Sequence, residues 1–248
     1  MAELLNLTGL VLSAMPVGDY DKRVVVLTKE RGKITAFARN ARRQNSGLLA
    51  AANPFCFGTF SFYEGRSAYT MVQGEVQNYF RDLASSVGAY YGFYFLELAD
   101  YYARENNDEK ELLKLLYVSL RALTKEELDK ELIQRIYEWK TIVLSGEYPQ
   151  MFACTECGSE SDLSAFVLKR NGIFCQKCSI HYSSRIPLME STIYALQYVL
   201  SSPVEKLYSF ALSEEVRTQF FDVVEHLKNK YIGKQFKSLE ILESIRNY

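Results

Sequence analysis

From residue 4 to about residue 80 the apolar positions come in short runs broken by turn residues. Leu5-Asn-Leu7-Thr-Gly-Leu-Val-Leu12 predicts a strand with imperfect alternation, and Arg23-Val-Val-Val-Leu-Thr28 is a β-branched run of the kind found in buried strands. Lys29-Glu-Arg-Gly32 supplies a hairpin turn before Lys33-Ile-Thr-Ala-Phe-Ala38, with Gly32 at the position that needs a positive φ. Beyond a polar loop and a looser segment from Gly47 to Ala52, Phe55 to Tyr63 and Tyr69 to Val76 form a second hairpin around Glu64-Gly-Arg-Ser67. Five strands of this length predict a small, partly open barrel of the OB type, with an SH3-like barrel as the alternative.

From about residue 78 the period changes to that of a helix. Tyr90, Tyr91, Tyr94, Phe95, Leu98, Tyr101 and Tyr102 recur at spacings of three and four, and Phe93 and Leu96 widen the stripe, so this helix is mostly covered by neighbours. Asn107-Asp108 caps a second helix carrying Leu112, Leu113, Leu115, Leu116 and Leu120. Thr124-Lys-Glu-Glu127 is a capping-box signature for a third, with Leu128, Leu132, Ile136, Trp139 and Val143 on one face, Gly146 as its stop and Pro149 after it. Further helices are expected from Glu190 to Leu200, from a Ser213 cap to Tyr231, and from Leu239 to Ile245. The fold class is therefore α+β and multidomain: a five-stranded OB barrel at 1–80, an all-α domain at 81–150 and 186–248, and a cysteine module at 151–185 inserted in it.

The inserted module changes the picture most. Cys154-Thr-Glu-Cys157 and Cys175-Gln-Lys-Cys178 are two C-x-x-C pairs separated by residues 158 to 174, the spacing of the two knuckles of a four-thiolate zinc site. Each pair can turn tightly enough to aim both sulfurs at one ion, Gly158 sits where a knuckle needs a positive φ, and Ser161 to Phe174 can fold back as a hairpin. Four thiolates close the tetrahedron, so the expected ion is one structural zinc rather than a catalytic one. Two disulfides are the alternative, and they require an oxidising compartment. His181 could replace a cysteine as ligand, whereas Cys56, in Phe55-Cys-Phe57, is a core residue. With only His181 and His226, no Gly-rich phosphate loop and no H-x-E before P-C-x-x-C, an enzyme is not expected.

The composition, 48% hydrophobic over 248 residues with a formal net charge of −1, describes a folded chain with ample core. Its charge is uneven. Residues 1–81 hold ten Lys/Arg against six Asp/Glu, a balance of +4, and the remainder carries 19 against 24, or −5. The start, Met1-Ala-Glu-Leu-Leu-Asn, has no basic region leading into an apolar run, and no segment approaches the roughly 18 apolar residues of a membrane helix, so a cytoplasmic protein without membrane contact is expected. Lys22 and Arg23 precede the second strand, Lys29, Arg31 and Lys33 surround the first hairpin, Arg39, Arg42 and Arg43 follow the third strand, and Arg66 lies on the second hairpin. Such residues at one barrel mouth would hold single-stranded nucleic acid through its phosphates, with stacking on aromatic rings. Phe37, Phe57, Phe60, Phe62, Tyr63 and Tyr69 are available; a barrel this small uses most of them as core and leaves one or two facing out. A solvated charged surface is the other reading of the same residues.

Several of these elements together resemble the RecO family of bacterial DNA repair and recombination proteins. The resemblance runs through Gly18-Asp-Tyr-Asp21, Leu27-Thr28 with Gly32, Ala38-Arg-Asn-Ala-Arg-Arg43, Glu138-Trp139, Gly146-Glu-Tyr-Pro149, Cys154-x-x-Cys157-Gly158 and Gly172-x-Phe-Cys175-x-x-Cys178, over about residues 1 to 185. It implies a non-enzymatic recombination mediator, bacterial and nucleoid-associated. Such a protein binds single- and double-stranded DNA, anneals complementary strands, works with RecR, contacts the C-terminal tail of single-stranded DNA-binding protein and helps load RecA. By position the family's basic loop falls on Arg39, Arg42 and Arg43. Asn40 stands where the family often has Gly, and Asn is the next most tolerant residue of a left-handed backbone. The alternative function is a zinc-stabilised scaffold that bridges proteins and touches DNA weakly.

Overall fold

The computed structural model describes residues 3–66, 68–84 and 86–246. In chain order the elements are strands β1 (Leu4–Val17), β2 (Asp21–Thr28) and β3 (Gly32–Ala38), the single-turn helix α1 (Leu48–Ala51), strands β4 (Phe57–Tyr63) and β5 (Tyr69–Asn78), and helices α2 (Arg81–Ala84), α3 (Gly88–Tyr102), α4 (Lys110–Leu123) and α5 (Lys130–Leu144). They continue with β6 (Leu163–Val167), β7 (Gly172–Cys175), α6 (Gln176–Ser179), β8 (Arg185–Pro187), α7 (Glu190–Ser201), α8 (Glu214–Tyr231) and α9 (Lys237–Arg246). By backbone contacts the chain forms two compact units, Met1–Leu128 with Phe236–Tyr248, and Asp129–Gln235.

In the first unit the five strands close into a barrel of order β1-β2-β3-β5-β4, with β1 and β4 paired, so the barrel is closed rather than partly open. A bulge between Val11 and Ser13 lets one long strand serve two partners: Leu4 to Leu10 pair with β4, and Gly9 to Val17 with β2. The strands β3 and β5 close the cylinder by the parallel pairs Ala36↔Tyr69, Phe37↔Thr70 and Ala38↔Met71. Inward positions fill it with Leu7, Val11, Val24, Val26, Ile34, Phe60, Phe62 and Met71. Outward-facing Val25 and Leu27 are buried as well, because α4 packs on β1 and β2. This explains the unbroken apolar run of β2. The strand β4 opens at Phe57 rather than Phe55, whose φ of +70° takes it out of the ladder. Of the expected second hairpin turn, Ser67 lies outside the described residues.

Helix α3 is covered on most of its surface: Tyr91, Tyr94, Phe95 and Leu98 are buried, Tyr90 and Phe93 are exposed, and Phe236, just before α9, sets its ring edge against Tyr94 and Tyr101. Two expected caps do not form. Thr124 does not open a capping box; its hydroxyl donates to the Arg121 carbonyl at the end of α4, and α5 begins after Asp129, whose carboxylate accepts from the N–H groups of Glu131 and Leu132. Ser213 precedes α8 as expected, but its side chain makes no capping bond. The stop of α5 is as read: Gly146 N–H bonds the Val143 carbonyl and Glu147 N–H the Ile142 carbonyl, the paired bonds of a Schellman motif.

In the second unit α5, α7 and α8 pack on one another, and α7 and α8 meet β6 and β8 of the sheet β7-β6-β8. Trp139 of α5 is fully buried and its indole N–H donates to the Leu196 carbonyl at 3.1 Å. Beside it the buried carboxylate of Glu138 is satisfied by Gln134 at 2.9 Å and Arg135 at 2.9 Å. The Glu138-Trp139 pair is thus structural. Among the described residues no helix is long and apolar enough to cross a membrane.

Candidate metal centre and basic rim

The four cysteines that the sequence pairs in twos come together. The Sγ atoms of Cys154, Cys157, Cys175 and Cys178 all lie within 4.8 Å of one another. The first knuckle is a tight turn closed by Gly158 N–H on the Cys154 carbonyl at 2.8 Å, with Gly158 at φ +75°. The second is the start of α6, with Cys175 at its N-cap position. The β6–β7 hairpin carries one to the other, and Thr155, whose N–H and hydroxyl both donate to the Ile173 carbonyl, pins the first knuckle to β7. Gly172 leaves the room for this, since a Cβ there would meet the Thr155 hydroxyl at 2.3 Å. The third strand of the module, β8, pairs with β6 and was not anticipated; at three residues it carries too little periodicity to be read.

Cys157 Sγ and Cys175 Sγ are 3.8 Å apart, and a tetrahedral ion with bonds of about 2.3 Å to sulfur requires an edge of about 3.8 Å. Burial alone would push the Cys154 thiol up, but the N–H groups of Cys157, Cys175 and Glu156 outweigh it and bring it down to about 6. Cys178 is pushed up to about 12, first by its hydrogen bond to Cys175 and then by burial. Four thiols this close cannot all ionise without a cation among them. The donor set, the spacing and the enclosure by Val167, Phe174, Leu163 and Tyr182 all fit a metal ion held by four cysteines. His181 is exposed and stands outside that group, while His226 is packed against Phe166 with rings 5.7 Å apart.

The basic residues divide into two sets. At one end of the barrel the β1–β2 turn is stitched to the loop after β3: Arg42 N–H donates to the Tyr20 carbonyl, Asn40 N–H to the Asp21 carboxylate at 2.8 Å, and the Arg42 guanidinium to the Gly18 carbonyl at 3.2 Å. Asn40 has φ +56°, the left-handed conformation its position requires. Arg39, Arg42 and Arg43 stand exposed on this loop, and the Arg43 guanidinium lies 4.4 Å from the centroid of Tyr20. Arg23 is exposed nearby on β2, opposite Met15 on β1 and Phe37 on β3. Lys22 belongs to this end, but its ammonium is turned inward onto the Ala52 carbonyl and Asn53 Oδ1 at 2.7 Å, and burial pulls it below the usual lysine range.

Lys29, Arg31 and Lys33 are at the opposite end of β2, about 20 Å from Arg23 at about 3.3 Å per residue. There the β2–β3 turn is docked on the connection between α3 and α4: Lys33 N–H donates to the Arg104 carbonyl, Asn106 N–H to the Arg31 carbonyl, and the Lys33 ammonium pairs with Asp100 at 3.1 Å. Gly32, at φ +63°, allows the approach, because a Cβ would stand 2.3 Å from the Arg104 carbonyl oxygen. Arg66 is exposed on the β4–β5 connection. Of the aromatic residues considered for stacking, Phe60, Phe62 and Tyr69 are core, Phe57 is half-buried, and Phe37 and Tyr63 face outward. Tyr20 was missed by the sequence reading; its signal was its place in the turn before β2.

Comparison with known proteins covers nearly all of the chain. Residues 1–80 match the family described as Recombination protein O N terminal, and residues 85–240 the one described as Recombination protein O C terminal. A protein of Alkaliphilus metalliredigens named DNA repair protein RecO is 32% identical over 245 residues, covering 98% of this chain and 100% of the relative. The DNA repair protein RecO of Bacillus subtilis is 29% identical over 240 residues, covering 96% and 94%. Together with the closed five-stranded barrel, the helices that follow it and the four converging cysteines, these matches establish that the chain belongs to the RecO family of recombination proteins.

Proposed function

We propose that this chain is a non-enzymatic DNA-binding mediator of recombinational DNA repair. The observation that carries the reading is the exposed arginine loop Arg39, Arg42 and Arg43, held by backbone bonds to the β1–β2 turn of a barrel whose family is named for recombination. It binds DNA through phosphates, without sequence readout, and Arg23 extends the same rim. Lys22 and Lys33 contribute less, since their ammonium groups are held by carbonyl and carboxylate partners. Lys29, Arg31 and Arg66 form a secondary contact away from the rim. The partners follow from the family resemblance: RecR, the C-terminal tail of single-stranded DNA-binding protein and, indirectly, RecA. The four cysteines hold one structural zinc that folds residues 151–185 as an insert in a helical domain comprising 81–150 and 186–248, and the barrel at 1–80 is the DNA-binding domain. The test is annealing of complementary strands coated with single-stranded DNA-binding protein, with and without this chain. Failure to accelerate annealing, together with no gel shift of naked single strands, would favour the protein-bridging scaffold instead.

A further inference from the structure

The strand register of the barrel places one residue from each strand in a single outward row. Met15 on β1 is opposite Arg23 on β2, Arg23 is opposite Phe37 on β3, Phe37 is opposite Thr70 on β5, and Thr70 is opposite Tyr63 on β4. Directly opposed residues project to the same side of a sheet, and burial agrees: the flanking positions Val24, Ala36, Ala38, Phe62, Tyr69 and Met71 are core. Met15, Phe37 and Tyr63 are 60%, 37% and 42% exposed, and Arg23 is exposed between them. Elsewhere on β2 the outward residues Val25 and Leu27 are covered, so on β2 the open part of this face is the end nearest the arginine loop. Two rings with a cation on the row and the three-arginine loop that follows Phe37 beside it form a surface suited to an anion that carries flat apolar groups.

We propose that this row is the base-stacking platform for single-stranded nucleic acid, with Phe37 and Tyr63 each taking a base and Arg23 neutralising the phosphate beside Phe37. The proposal rests on the DNA-binding reading above and adds to it which rings stack and which way the strand runs. Phe37 and Tyr63 are two strand spacings apart, about 10 Å, so a strand crossing the sheet at right angles to the β-strands meets both, with the arginine loop, which follows β3 and bonds the β1–β2 turn, alongside Arg23 and Phe37. Stacking needs unpaired bases, so the row selects single strands over duplex, whereas the arginine loop holds the phosphates of either.

The test uses the full chain and oligonucleotides carrying a single 2-aminopurine, with affinity from anisotropy and stacking from fluorescence quenching. F37L and Y63L keep apolar bulk but remove the aromatic face. Each should weaken single-strand binding by about five- to a hundredfold and diminish the quench, leaving duplex affinity and the salt dependence unchanged. F37W and Y63W should restore both. A double F37L/Y63L variant that binds single strands as tightly as the parent, or loses single strand and duplex alike, overturns the stacking assignment. In that event loss of binding by the Arg39, Arg42 and Arg43 variant would leave the DNA-binding reading standing. A parent chain that binds neither form would sink both. Because the two side chains are exposed, matching thermal melts for all variants are the expected folding control.

Discussion

Cys157 and Cys175 stand 18 positions apart in the sequence, and their sulfurs are 3.8 Å apart. That separation matches the edge of a tetrahedron that four thiolates would make around an ion, and it is reached because the β6–β7 hairpin returns the chain to the first knuckle. Elemental analysis of freshly purified reduced protein should find one zinc per chain. Cys154→Ser or stripping with a chelator should abolish cooperative unfolding of the unit 129–235, since the module's own core is only a small cluster around Val167 and Phe174. Protein that contains no zinc yet unfolds cooperatively would remove the metal from the account.

The arginine loop makes a prediction about salt. With Arg39, Arg42 and Arg43 all changed to Ala, the slope of log affinity against log salt should become shallower by about two to three, because each neutralised phosphate releases counterion. Single-strand affinity at moderate salt should fall by at least tenfold. Lys33→Ala, by contrast, should leave the slope unchanged and lower stability, as its ammonium is engaged by Asp100. An unchanged slope in the triple variant would move the DNA contact elsewhere.

Lys140 sits inside the second unit with its three donors on the carbonyls of Val199, Leu200 and Ser202, at 3.0, 3.0 and 2.7 Å. These are the carbonyls left open at the end of α7, where the positive charge also meets the negative end of the helix dipole. Lys140→Met keeps the stem and deletes the donors. Denaturant unfolding should show a loss of about 2–4 kcal/mol, and a loss too small to measure would mean that water serves those carbonyls equally well.

Gly32 combines a left-handed φ of +63° with a backbone oxygen 2.3 Å from where a Cβ would be. Gly32→Ala should cost about 2–4 kcal/mol, from strain and the forced retreat of residues 104–107. Proteolysis should then cut first between α3 and α4. If the melting temperature moves by less than a degree, the contact is not a constraint on the barrel.

Two groups in the second unit give its stability a pH dependence. Burial would raise the Glu225 carboxyl, but the Lys228 ammonium at 2.8 Å and the charge of Arg135 outweigh it and hold it below its ordinary value of 4.5. A depressed carboxylate stabilises the fold above its unfolded value, and that contribution is lost as pH falls through the folded one. His226 is held below 6.5, first by burial and then by Lys230, so the unfolded chain takes up that proton first and stability declines as pH drops below about 6.5. Denaturant midpoints should therefore fall in two stages, the upper one absent in His226→Gln and the lower one reduced in Glu225→Gln. A profile that is flat from pH 7 to 5.5 would count against the His226 part.

Much of this molecule was legible because its signals are local. All five strands, the tyrosine-rich α3, the Gly146 stop and both cysteine knuckles come from periods and turn chemistry that act within a few residues. The misreadings were also local. Thr124 and Asp129 are equally good cap residues five positions apart, and only the packing of α5 selects Asp129. The basic residues misled in a different way: one charge-rich stretch of sequence maps to both ends of the barrel, since β2 carries Arg23 and Lys29 some 20 Å apart.

The sequence by itself determined the barrel strands, the two cysteine knuckles and the family, because each depends on residue type at short spacing. The tertiary structure decided which charges remain available and which rings face out. Lys22 and Lys33 look like Arg39 and Arg43 in the sequence, yet the fold supplies Asn53 and Asp100 to the lysines and leaves the arginines exposed. The row from Met15 to Tyr63 exists only through strand register. Register is set by long-range hydrogen bonding, and a slip of one residue would turn Phe37 into the core.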